Sequence, residues 1–283
     1  MEQYKNKIKI TVTEDAGICF GVKDAINKAT DAAKKYGEVY MLGSIVHNEK
    51  VVEDLGKLGV KIVDNLDNVP NDSPILFRAH GTVHKLWDEA KRRNMNIIDA
   101  TCPLVYEIHR EVKKLSEDGR QIIIIGDHGQ DEVVAIADQV ENPIIISNIE
   151  EAKKLNKMKC AGIVSQSTQM IENVQDIISV LMKKTHDLRF INTICYPTKR
   201  NHEQLKDIAS NHDVMIIVGS FTSANTKRLT ELSLDINKNT YQVTCADDIN
   251  TDWFIGKDSV GISGGASTPH YLIEEVKNKI EEI

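Results

Sequence analysis

Five cysteines are the residues of this 283-residue chain best equipped for chemistry: Cys19, Cys102, Cys160, Cys195 and Cys245. An odd number at wide spacing does not read as a disulfide framework, so metal ligation or thiolate catalysis is the sharper reading. The plainer alternative for any one of them is a small buried hydrophobe. Three of the five share a setting. Cys19 lies in Gly17-Ile18-Cys19-Phe20-Gly21, Cys102 in Asp99-Ala100-Thr101-Cys102-Pro103, and Cys195 in Asn192-Thr193-Ile194-Cys195-Tyr196-Pro197. Each follows an apolar run and precedes an amphipathic stretch. A helix N-terminus favours a thiolate through its dipole and its unpaired N–H groups. Iron–sulfur clusters normally take four cysteines, so three leave one iron open. Catalytic zinc also takes three protein ligands and keeps a fourth position free. Wide spacing does not separate these two metals. Cys160 opens a predicted strand and Cys245 follows one without a helix start beside it, so both are read as structural.

Polar side chains gather in six short segments after apolar runs. They are Ser44-Ile45-Val46-His47-Asn48, Phe77-Arg78-Ala79-His80-Gly81, Gly126-Asp127-His128-Gly129-Gln130-Asp131-Glu132 and Val164-Ser165-Gln166-Ser167-Thr168, then Gly219-Ser220-Phe221-Thr222-Ser223-Ala224-Asn225 and Ser263-Gly264-Gly265-Ala266-Ser267-Thr268-Pro269. Small hydroxylated loops before helices cap helices in any protein. Together with His47 and His80 they also read as a diphosphate cradle, with hydroxyls, amides and helix N-termini as donors. Glu132 is the one acid placed near chemistry. Its competing reading is a first-turn helix Glu favoured by the dipole.

The elements that must position these residues alternate along the chain. Strands are predicted at Ile8–Val12, Val39–Leu42, Ile75–Ala79, Ile97–Ala100, Gln121–Gly126, Pro143–Ser147, Gly162–Ser165, Arg189–Thr193, Val214–Gly219 and Val260–Ser263. Several are Ile/Val runs without alternation, as buried parallel strands are. Helical spacing is clearest at Val22–Tyr36, Leu104–Leu115, Ile171–Met182, Pro197–Ala209 and Tyr271–Ile280. Strand–helix alternation argues for an α/β fold with mostly parallel sheets. The even intervals between Cys19, Cys102 and Cys195 divide the chain into three similar small α/β units, 1–100, 101–192 and 193–283. A pseudo-threefold trefoil of these units would bring three strand carboxyl ends, where such sheets bind ligands, to one central cluster.

Composition narrows the classes further. The chain is 41% hydrophobic and 27% charged, with formal net charge −7. An acidic balance gives no support to nucleic-acid binding. No apolar run approaches the roughly 20 residues of a membrane span. The polar N-terminus lacks a secretory signal pattern, and a cytoplasmic location is expected. No Gly-x-Gly-x-x-Gly fingerprint sits between a strand and a helix, so no nicotinamide site is expected.

With these segments in view, the chain resembles the LytB/IspH family of 4-hydroxy-3-methylbut-2-enyl diphosphate reductases over essentially its whole length. The carrying segments are Gly17-Ile18-Cys19-Phe20-Gly21-Val22, Val46-His47-Asn48, Ala79-His80-Gly81, Asp99-Ala100-Thr101-Cys102-Pro103-Leu104-Val105, Thr193-Ile194-Cys195-Tyr196 and Val218-Gly219-Ser220. The resemblance implies a trefoil around a [4Fe–4S] cluster with one open iron site, held by Cys19, Cys102 and Cys195. It implies reductive removal of a hydroxyl from an allylic diphosphate, with isopentenyl and dimethylallyl diphosphate as products and a ferredoxin or flavodoxin as electron donor. His47, His80, Ser223, Asn225 and Ser267 match the diphosphate ligands, and Glu132 matches the acid that protonates the leaving hydroxyl.

Several positions depart from the family pattern. The family's His-Pro-Glu triplet is Gln130-Asp131-Glu132 here, and Gln130 can hydrogen-bond but cannot carry a proton at neutral pH. The family's hydroxyl-contacting Thr is Ser167, and one of its paired serines is Ala224. His128 lies close in sequence to the altered relay. Two enzymatic readings of one architecture follow: the diphosphate reductase with an altered relay, and a paralogue acting on another small substrate. A non-catalytic cluster or metal sensor and a zinc hydrolase are the alternatives from other classes.

Overall fold

Ile/Val runs such as Gln121–Ile125 and Val214–Val218 bury both faces, and they form the centres of parallel sheets. The computed structural model describes residues 8–283. The chain begins with β1 (Lys9–Val12), α1 (Phe20–Tyr36), β2 (Val39–Leu42), α2 (Glu49–Lys57), β3 (Val60–Val63), β4 (Pro74–Phe77), α3 (His84–Arg92) and β5 (Asn96–Asp99). It continues with α4 (Pro103–Glu117), β6 (Gln121–Ile125), α5 (Asp131–Ala137), β7 (Ile144–Ile146), α6 (Ile149–Lys154), β8 (Met158–Ser165), α7 (Ile171–Met182) and β9 (Thr185–Phe190). It ends with α8 (Tyr196–Asn211), β10 (Val214–Val218), α9 (Ala224–Ile236), β11 (Thr240–Val243), β12 (Ser259–Gly264) and α10 (His270–Glu281).

The strands make three four-stranded, all-parallel sheets, ordered β3-β2-β4-β5, β7-β6-β8-β9 and β11-β10-β12-β1. This is the α/β class with three similar units that the alternation of elements predicts. With β1 counted as the fourth strand of the last sheet, the order in each sheet is second, first, third, fourth, so the topology repeats three times. The switch point of each sheet lies between its first and third strands, where ligands of open α/β sheets bind.

One part of the sequence division differs. The block 1–100 includes β1, but β1 completes the last sheet, pairing Lys9 with Ser259 through Val12 with Ile262. The residues of β1 pattern like any edge strand and do not identify a partner far along the chain. Contacts group the chain into two compact units, one holding the described residues up to Phe20 with His47–Val51 and Tyr196–Ile283, the other Gly21–Val46 with Val52–Cys195. The first is built on β11-β10-β12-β1, with Val214, Ile216, Val218, Val260, Ile262 and Val276 in its core. The second carries the other two sheets, with cores around Phe77 and Ile75, around Ile123 and Ile163, and around Ile124 and Val112.

Strands β3 and β11 are absent from the sequence reading. Both are edge strands, and polar Lys61 and Gln242 interrupt their apolar character. Among the described residues no helix is long and apolar enough to cross a membrane.

Candidate active site

Each of the three patterned cysteines follows the fourth strand of a sheet and immediately precedes a helix: Cys19 before α1, Cys102 before α4 and Cys195 before α8. Their backbones are fixed locally. The Cys102 N–H donates to Ala79 O at 3.0 Å, and the Cys195 N–H donates to Ser167 O at 2.9 Å. The Cys19 N–H donates to Ala266 O at 3.2 Å, in the loop after β12. The residue three before Cys102 is Asp99, whose carboxylate accepts from Thr101 N at 2.9 Å and from the Tyr106 hydroxyl at 2.5 Å. Burial, with that bond, pushes the Tyr106 phenol up to about 12. Asn192, three before Cys195, closes the same kind of turn on Ile194 N at 3.2 Å. Among the described residues none of the five cysteines is in a disulfide, and all five are half-buried. Cys160 lies within β8, and Cys245 packs against the core of the β11-β10-β12-β1 sheet.

The donor set suits a thiolate-bound metal centre. Three thiols stand at helix starts, where negative charge is favoured. A Cβ on Gly21 would stand 2.5 Å from Cys102 Sγ, so glycine keeps the space beside that sulfur open.

All six polar segments named from the sequence are the loops after first and third strands, flanking the three switch points. In the second sheet the loops after β6 and β8 bring Glu132 and Ser167 together. Glu132 is 4% exposed, and its carboxylate accepts from Ser167 N at 2.5 Å and from Ser167 Oγ at 2.7 Å. Glu132 is thus a first-turn residue of α5 and also a buried acid held by the neighbouring loop. Gln130 is the N-cap of α5, and its side chain makes no capping bond. His128 is exposed and its Nε2 lies 2.9 Å from Glu151 Oε2.

In the neighbouring sheet His80 is half-buried in the loop after β4, closed by a turn in which Gly81 N donates to Arg78 O. Arg78 pairs with Asp131 at 2.5 Å, and a Cβ at Gly43 would meet its guanidinium at 2.7 Å. Asp131 stands where the family pattern has proline, and it anchors the arginine two residues before His80. Sequence pattern places Arg78 in its loop but assigns it no role. Only the spacing of two unlike charges in separate loops hints at the pair.

In the unit built on the β11-β10-β12-β1 sheet, Ser223 caps α9, accepting from Thr226 N at 3.3 Å. Ser267 Oγ donates to His47 O at 3.2 Å, which joins those two predicted ligands. Asn225 is buried, and its Nδ2 has no hydrogen-bond partner. A buried amide donor left open is expensive unless something binds it. Phe20 and Tyr196, the residues after Cys19 and Cys195, stack with ring centroids 5.6 Å apart.

The family model described as LytB protein matches residues 10–281. The chain belongs to the LytB family. Among LytB relatives, the 4-hydroxy-3-methylbut-2-enyl diphosphate reductase of Geobacter sulfurreducens is 38% identical over 97% of this chain and 98% of its own length. The reductase of the same name from Geotalea uraniireducens is also 38% identical, over 98% of both chains. Among solved LytB structures, the E-1-hydroxy-2-methyl-but-2-enyl-4-diphosphate reductase of Plasmodium falciparum matches with TM-score 0.92 and 27% identity, covering 96% of this chain and 87% of its own. An (E)-4-hydroxy-3-methyl-but-2-enyl diphosphate reductase, the terminal enzyme of the non-mevalonate pathway, matches at 35% identity with TM-score 0.70 over 98% of this chain and all of its own.

Proposed function

We propose that this chain holds a [4Fe–4S] cluster on Cys19, Cys102 and Cys195 and reductively dehydroxylates 4-hydroxy-3-methylbut-2-enyl diphosphate. The substrate takes up two electrons and two protons, the C–O bond breaks, and water leaves with isopentenyl or dimethylallyl diphosphate as the product. When bound, the cluster supplies the electrons and one open iron that acts as a Lewis acid. The protein's own residues bind and protonate. The open Asn225 amide, the Ser223 and Ser267 hydroxyls and the His47 and His80 rings take the diphosphate, which orients the reacting end from a distance. Glu132 delivers a proton to the departing oxygen, and the two Ser167 donors stabilise the carboxylate left behind. Gln130 supplies a hydrogen bond but no proton, so Glu132 is the only acid of its segment assigned to the transfer. A ferredoxin or flavodoxin supplies electrons, and we place the protein in the cytoplasm.

The observation that carries this reading is the threefold repeat in which every fourth strand is followed by a cysteine directly before a helix start. Near-full-length similarity to named reductases supports it. Protein purified without oxygen should be brown, with about four irons per chain, and should turn over the allylic diphosphate with a strong reductant. A fully loaded protein without turnover overturns the substrate assignment. The Arg78–Asp131 pair beside Gln130 favours a second reading, a paralogue whose cluster serves another small substrate. That reading predicts a loaded cluster whose spectrum does not change when the diphosphate is added.

A further inference from the structure

The cleft between α3 and α4 carries polar groups that the reading above does not use. Its volume is about 310 Å³. Thr82, Thr101 and His109 line it, and all three are more than nine-tenths buried. Thr82 Oγ1 and His109 Nε2 have no hydrogen-bond partner. A buried polar atom without a partner is costly, and two of them on side chains that line one cavity point to an occupant that draws them out and satisfies them. Lys91, Arg110 and Lys113 stand exposed along the same cleft. No carboxylate pairs with any of these three cations among the described residues. Asp88 is the single acid among the lining residues, and His84 is committed to Asp138 at 2.6 Å.

The sign of the charge matters because the whole chain carries −7. Lys91 on the α3 wall and Arg110 and Lys113 on the α4 wall outnumber the single acid Asp88, which favours an anion. The number of donors matters too. A carboxylate offers two oxygens in one plane. A phosphate offers three terminal oxygens and close to two charges, which suits three cations and two hydroxyls better. His109 stays neutral beside them, because burial first and Lys113 second lower it to about 4. A neutral imidazole presents one donor and one acceptor nitrogen. The Trp87 and Tyr106 rings line the cleft, with Lys91 Nζ 5.8 Å from the Trp87 ring centroid and Tyr106 edge-on to His109.

We propose that the α3–α4 cleft binds a small phosphate-bearing solute, with Lys91, Arg110 and Lys113 opposing its charge and Thr82, Thr101 and His109 meeting its oxygens. The lining residues are not among those assigned to the diphosphate, although Thr82 follows the His80-Gly81 segment directly, and the proposal does not depend on the reductase reading. Thr101 directly precedes Cys102, so an occupant lies one peptide from a cysteine of the active site.

Trp87 is a built-in reporter, because the chain has 2 tryptophans and the other, Trp253, stacks on Tyr241 in the other unit. The test titrates the full-length Trp253→Phe variant with inorganic phosphate at constant ionic strength. Wild type, followed at the same wavelength, checks that the substitution leaves the midpoint in place. The expected result is a saturable change in Trp87 fluorescence. Its midpoint should rise at least tenfold in Arg110→Ala/Lys113→Ala, whose changes are on the surface and leave the fold intact. Near-isosteric Thr82→Val should raise it at least threefold, and Asn225→Ala, in the diphosphate loops, should leave it unmoved. A signal that does not saturate, or a midpoint that shifts less than tenfold in the double variant, overturns the proposal. So does a crystal grown in phosphate that shows only water on Thr82 and His109.

Discussion

A buried carboxyl needs donors, and Glu132 draws two hydrogen bonds from one residue, Ser167. The backbone bond survives any substitution at 167, whereas the hydroxyl bond does not. Ser167→Ala should therefore lower kcat by about tenfold, the scale of one hydrogen bond to a charged group, and Ser167→Thr should restore it. Glu132→Gln keeps the shape but removes the proton, and should lower kcat by about 10²–10⁴-fold with the iron content unchanged. Equal kcat in Glu132→Gln and wild type would remove the acid from the mechanism. A second buried group makes a different, measurable contribution. His109 is held near 4 in the folded chain against the ordinary 6.5 of a solvated imidazole, by burial and then by Lys113 and His84, while Asp138 and Asp99 oppose the shift. Between those two values the unfolded chain binds a proton that the folded chain does not. Stability is therefore complete above about pH 6.5 and is lost as pH falls towards 4, by about 3 kcal/mol in full. Urea unfolding of the apo-protein at pH 7.5 and 4.5 should show this loss. His109→Gln, which cannot titrate, should show a correspondingly smaller difference between the two pH values, and an identical difference would refute the assignment.

Helix α1 starts at Phe20, and its second residue is a glycine, which helix propensity alone disfavours by roughly 0.5–1 kcal/mol against alanine. The reason for it lies across the fold, where a Cβ would stand 2.5 Å from Cys102 Sγ. Gly21→Ala should leave the melting temperature of the apo-protein unchanged or slightly raised, and should sharply reduce the iron taken up on anaerobic reconstitution. Full iron loading of that variant would show that the sulfur can move aside freely. Much of this level is legible in the sequence. Central strands such as β6, β10 and β12 announce themselves as unbroken apolar runs, and Cys19, Cys102 and Cys195 mark the strand-to-helix passages. The six polar loops are visible too, but not the rule that selects them. That rule is strand order, with the loops falling after first and third strands, and order is a tertiary property that local pattern does not carry. Edge strands β3 and β11 escape because an edge is half-solvated and tolerates Lys61 and Gln242. Arg78–Asp131 escapes because either residue alone reads as an ordinary surface charge.

The threefold repeat of strand order has a consequence for the whole chain. In the two sheets of the larger unit a helix links the third strand to the fourth: α3 between β4 and β5, and α7 between β8 and β9. In the last sheet α10 follows the third strand, β12, while the strand in the fourth position is β1, which precedes all the others in sequence. The third repeat is thus a circular permutation of the other two. Ile8 and Ile283 both pack against the core of this sheet and line one cavity, so the two described ends lie near one another. Removing residues 1–12 would strip β1, with half-buried Ile10 and Val12, from the edge of β12, which is buried from Val260 to Gly264. That deletion should cost about 2–4 kcal/mol, and backbone amides of β12 should exchange faster. Joining Ile283 to Met1 and opening the chain between Gly37 and Glu38 keeps every strand and every cysteine. Both residues at the new opening are exposed, and a Cβ on Gly37 meets nothing within 4 Å. Exposed turns of this kind tolerate new termini. The permutant should fold, take up as much iron as the parent, and protect β12 amides to the same degree. If the permutant lost that protection while the parent kept it, the free beginning of β1 would be doing something that strand order does not explain, and the equivalence of the three repeats would fail.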